Sequence, residues 1–139
     1  MAEDDIISKV ASQHGIDEAF VVYASRVDVR DWVHVRARLE CPETAKSCRG
    51  YPEETRRLLK EFAKAVVLIG SGDAFKTRVI DVERSLRERG FPRALAFING
   101  HNEHRPCLLN AGIDMLSTIK RFKKNFDKPV ETWAIVLLE

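Results

Sequence analysis

Three short apolar runs, Ala65–Ile69, Ala94–Ile98 and Trp133–Leu138, constrain this chain more than any other feature. Each is too short for a buried helix and suits a strand covered on both faces. The stretches between them carry a helical period. Phe75 to Arg89 sets Val79, Ile80, Val82, Glu83 and Leu86 along an inner side and its flank, and Gly90 supplies a stop. Strands alternating with helices predict an α/β fold: a two- or three-layer sandwich, with helices packed on a mixed sheet of about four to five strands.

The remaining segments extend this reading. Asp5 to His14 places Ile6, Ile7, Val10 and Ala11 on one helical face before Gly15, so residues 1–15 form an N-terminal helix. Phe20 to Tyr23 reads as a short strand. Trp32 to Leu39 alternates: Val33, Val35, Ala37 and Leu39 fall on one side, His34, Arg36, Arg38 and Glu40 on the other. That pattern predicts a half-buried strand with a basic outer face. Pro52 opens a helix at its favoured first position, with Glu53 and Glu54 where the helix dipole welcomes negative charge and Leu58, Leu59, Phe62 and Ala63 as its apolar face. Asp114 caps a last helix carrying Met115, Leu116, Ile119 and Phe122, with Lys120, Arg121, Lys123 and Lys124 toward its C-terminal end. The expected core includes Leu58, Phe62, Val67, Ile80, Leu86, Leu116 and Ile119.

At 139 residues the chain is long enough for one domain with its own core. Its formal charge of +2 is too small for a nucleic-acid footprint. No apolar run approaches the ~18 residues of a membrane span, and the acidic start MAEDDIISKV lacks the features of a signal peptide. A cytoplasmic protein is expected, with a small molecule or another protein as partner and room for a homo-oligomer. Three cysteines, Cys41, Cys48 and Cys107, are an odd number, which argues against a disulfide framework in a reducing compartment. They read either as small buried side chains or as groups for metal or redox chemistry.

The stretch Asn99 to Met115, NGHNEHRPCLLNAGIDM, concentrates the chemistry. It follows a predicted strand, where a rigid scaffold presents binding groups on a loop. His101, His104 and Cys107 stand at H-x2-H-x2-C spacing, and Cys41 and Cys48 form C-x6-C, wider than a tight zinc knuckle. Imidazole and thiolate suit zinc and iron–sulfur centres. Exposed loop histidines are the plainer alternative. Arg105, beside Pro106, can anchor a carboxylate or phosphate. Gly70 to Thr77, GSGDAFKT, sits between a predicted strand and helix as a phosphate loop would, but Phe75 stands where that loop needs glycine. A plain strand–helix connection is the expectation there. No nucleophile elbow or marked catalytic cysteine occurs, so the residues name no reaction.

Several motifs run in a recognisable order. Trp32-Val33, with Val35, Ala37 and Leu39, precedes Cys41-Pro42 and Lys46-Ser47-Cys48; Tyr51-Pro52-Glu53-Glu54 then leads to Leu58-Leu59 and Glu61. Asp81-Val82-Glu83-Arg84, Gly90-Phe91 and Ala94-Leu95-Ala96-Phe97 follow, then Arg105-Pro106, Ala111-Gly112-Ile113-Asp114-Met115 and a terminal Leu137-Leu138-Glu139. Over residues 32–139 this resembles the prokaryotic predicted metal-binding protein family, domain of unknown function 2284. The resemblance implies a cysteine-held iron–sulfur or related centre and matches Cys41 and Cys48 to two of its cysteine positions. The family's second cysteine cluster is replaced here by GHNEH, and Cys107 stands where serine is common. The expected ligands are Cys41, Cys48 and Cys107, with His101 and His104 in reserve. A metal-free module binding an anion or a protein through Arg105 is the alternative.

Overall fold

The computed structural model of the chain describes residues 2–40, 51–98, 111–120 and 133–138. In order these form helix α1 (Ala2–Gln13), strand β1 (Glu18–Tyr23), a 3-10 turn (Ala24–Arg26), helices α2 (Asp31–Glu40) and α3 (Pro52–Lys60), strand β2 (Lys64–Ile69), helix α4 (Phe75–Glu88), strand β3 (Leu95–Ile98), helix α5 (Met115–Lys120) and strand β4 (Trp133–Leu137). The three apolar runs all join one four-stranded sheet, in the order β1-β2-β4-β3.

Every neighbouring pair in that sheet is antiparallel, where a mixed sheet was expected. The reason is the place of β4. Strands β2 and β3, joined through α4, run the same way, but β4 inserts between them and runs against both. Alternation then distributes the side chains to two cores. Val66, Leu68, Ala96, Ile98, Ala134 and Val136 face one side, with Ile7 and Val10 of α1 and Val79 and Leu86 of α4. Val67, Ile69, Phe97, Ile135 and Leu137 face the other, with Leu59, Phe62, Ile113 and Met115. Both faces are covered, so the strands read as continuous apolar runs.

Helix α4 buries Phe75, Val79, Val82 and Leu86, the i, i+4, i+7, i+11 line of one face. Ile80 lies a third of a turn off that line and is only half-buried, contrary to expectation. Leu58 is half-buried for the same reason, because α3 turns Pro52, Thr55 and Leu59 inward. Phe62, Val67 and Leu86 are buried as expected; the side chains of Leu116 and Ile119 lie outside the described residues. Gly90 ends α4 at φ +112°, and the Phe91 amide closes back on the Leu86 carbonyl at 3.0 Å.

The same helix finishes the edge of the sheet. The outward-facing Ala96 amide donates to the Glu83 carboxylate at 2.6 Å, and Arg87 donates to the Ala94 carbonyl at 3.0 Å. Arg87 also lies 3.6 Å from Glu83. Two side chains one turn apart thus take up backbone groups of β3 and of Ala94 just before it, which a further strand would otherwise use. Glu83 is buried because its carboxylate has these partners.

One expected element is of the wrong kind. Asp31–Glu40 is a helix, not a half-buried strand. Val33 and Ala37, one turn apart, are buried, whereas Val35 and Leu39 are 51% and 77% exposed. The alternating pattern is the trace of two opposite helical faces that are both apolar.

Candidate functional site

The residues expected to carry chemistry, Cys41, Cys48, His101, His104, Arg105 and Cys107, all lie outside the described residues. The segments that bear them are nevertheless tethered at described points. Segment 41–50 leaves the end of α2 and re-enters at Tyr51 and Pro52. Segment 99–110 leaves β3 after Ile98 and re-enters at Ala111 and Gly112.

The two re-entry points touch. Gly112 is buried at φ +79°, a conformation that favours glycine. A Cβ placed there would meet Pro52 Cγ at 2.9 Å and the Arg30 carbonyl oxygen at 3.1 Å. Glycine is therefore required both by the backbone angle and by the close approach of α3. Around it, the Arg30 amide donates to the Gly112 carbonyl at 2.7 Å and the Asp114 amide to the Asp28 carbonyl at 2.8 Å, flanking a bridge between Val29 and Ile113. Thr118, fully buried, accepts from the Asp28 amide at 3.0 Å and donates to the Asp114 carbonyl at 2.8 Å. The Asp114 carboxylate accepts from the Ser117 amide at 3.1 Å, the expected helix cap.

Beside the contact, between α2 and α3, lies a cleft of about 380 Å³ lined by Asp31, His34, Val35, Tyr51, Pro52, Glu53 and Glu54. The His34 and Tyr51 rings meet at 5.4 Å between centroids, tilted by 47°. Arg56 pairs with Asp31 at 2.8 Å and ties α3 to the first turn of α2. Of the three carboxylates at the cleft, Asp31 is held by Arg56, which leaves Glu53 and Glu54 to give the cleft its acidic character. No group of three or more metal-ligating side chains occurs among the described residues.

Sequence reasoning passed over this cleft because it assigned His34 to the solvent face of a strand. Asp31 at a helix start, followed by Val33 and Ala37 one turn apart, is the signal that would have found it. The Gly70–Thr77 segment is a strand–helix connection closed by its own phenylalanine. The buried Phe75 ring packs over Gly70, in the space a phosphate loop keeps open. No described helix is long and apolar enough to cross a membrane.

No family model, no curated protein and no solved structure matches this chain.

Proposed function

We propose that this chain is a small cytoplasmic metal-binding protein whose ligands come from the two tethered segments: Cys41, Cys48 and Cys107, with His101 and His104 in reserve. Zinc or an iron–sulfur centre suits such donors. The contact of Pro52 with Gly112 carries this reading, because it anchors the exits of both ligand-bearing segments at one point. The resemblance to the predicted metal-binding family belongs to the same proposal. Thiolate and imidazole ligands must come within ~2.0–2.3 Å of one zinc ion, and a shared anchor for their loops favours that convergence. The acidic cleft beside that anchor favours a cation and sets the metal reading ahead of an anion or partner module built on Arg105.

Elemental analysis and absorption spectra of protein purified without chelators test this. Stoichiometric metal is expected, and Cys48→Ser and Cys107→Ser should each lose most of it while the circular dichroism of the fold persists. Metal-free protein, or metal retained by both variants, would overturn the reading.

A further inference from the structure

The two edges of the sheet differ. At the β3 edge, Glu83 and Arg87 take up outward-facing backbone groups. At the β1 edge nothing comparable occurs among the described residues, which run unbroken from 2 to 40 around this strand. The Ala24 amide donates to the Ala63 carbonyl at 2.9 Å, and the register continues that pair to Val22 with Ala65, Phe20 with Val67 and Glu18 with Ile69. Alternation then turns the amides and carbonyls of Ala19, Val21 and Tyr23 away from β2. No hydrogen bond among the described residues reaches them. The strand also lacks the usual devices that blunt an edge: it holds no proline, glycine or lysine, and its pairing has no bulge. Ala19, Phe20 and Val21 pack against the two cores but are only half-buried, and Tyr23 is 68% exposed.

We infer that the β1 edge is a self-association site, where β1 of a second copy pairs antiparallel and joins the two sheets into one. The strand complements itself about a two-fold axis at Val21. That axis sets Val21 against its counterpart and Ala19 against the partner's Tyr23, so the three outward residues exchange amide–carbonyl bonds with one another. On one face the large Tyr23 ring covers the partner's Ala19. On the other, Phe20 stands opposite the partner's Val22, an aromatic–β-branched pair. Both cores thereby continue across the axis and cover the half-buried side chains of β1. Because Glu83 and Arg87 close the β3 edge, pairing stops at two copies instead of propagating. An arbitrary extended peptide would meet the same ladder groups without this side-chain match.

The size of the edge sets the strength. Six residues at ~3.3 Å each make it about 20 Å long, and two core layers of ~10 Å make it about 20 Å deep. The face is then on the order of 400 Å² per copy, against about 800 Å² per partner in a standard interface. The dimer is accordingly a weak one, with a dissociation constant in the micromolar range.

Sedimentation of the full chain from about 1 μM to about 1 mM, with hydrogen exchange at both ends of that range, tests the inference. The mass should rise from 15.9 kDa toward twice that value. The Ala19, Val21 and Tyr23 amides should exchange at least several-fold more slowly in the concentrated sample, while those of Phe20 and Val22, which face β2, change little. Val21→Pro removes the central donor without touching the β2 ladder, and Tyr23→Glu sets a charge against the partner's Ala19 from an exposed position. Both should hold the chain monomeric with the circular dichroism of the fold retained; if Val21→Pro unfolds the chain, Tyr23→Glu decides. A monomer at every concentration, an edge protected equally at both, or a dimer that Tyr23→Glu leaves intact would overturn the inference.

Discussion

Helices α4 and α2 make opposite use of their surfaces. Four apolar side chains of α4 enter the core, and its Glu83 and Arg87 satisfy the edge of β3. Its outer side, with Arg84 and Glu88, is polar and exposed. Helix α2 buries only Val33 and Ala37, is held by Arg56 and by the Arg30 amide, and leaves three large apolar side chains in solvent. The first helix is finished within the chain and serves stability. Among the described residues nothing covers the outer face of the second, which lies beside the cleft and the anchor of the proposed metal segments.

Mutations can break this contrast, beginning with α4. Leu86→Ala removes a fully buried side chain and should cost about 2–5 kcal/mol in urea denaturation. Glu83→Ala leaves the Ala96 amide buried without an acceptor, for an expected loss of about 1–3 kcal/mol. A loss for Glu83→Ala below about 0.5 kcal/mol would show that the edge contacts are incidental.

Gly112→Ala tests the knot that holds the start of α2. Its positive φ and the 2.9 Å approach to Pro52 predict a loss of about 1–3 kcal/mol. Metal content should fall with it if the proposed centre depends on that anchor. Val33→Ala, which deletes two methyl groups on the buried face of α2, should cost about 1.5 kcal/mol. Leu39→Ala should change the stability of the dilute protein by less than about 0.5 kcal/mol. A larger loss would mean that the outer face of α2 is already covered.

The two helices also differ in how far they could be read from residues alone. In α4 the apolar positions follow one line with period 3.6, and no strand produces that spacing. In α2, Val33, Val35, Ala37 and Leu39 alternate strictly, and a strand would place all four on one face. In a helix, residues two apart point about 200° from one another, so the same letters divide between opposite faces. Both geometries satisfy the pattern, and only the burial of Val33 and Ala37 in the folded chain separates them. Strands β2, β3 and β4 posed no such ambiguity, because each is covered on both faces and, apart from Lys64 at the start of β2, lacks polar positions.

Sequence by itself determined the class of the fold, the apolar strands β2, β3 and β4, helix α4 with its start and stop, the start of α3 (whose expected apolar face ran on to Phe62 and Ala63, past its end at Lys60), and the chemical character of the candidate ligands. These follow from local period, turn chemistry and side-chain type, all of which act over a few residues. Tertiary structure alone decided the insertion of β4 between β2 and β3, the closure of the β3 edge by Glu83 and Arg87, and the contact of Pro52 with Gly112. Each joins residues distant in the chain, and the packing of the whole core selects those pairings among the many that local preferences allow.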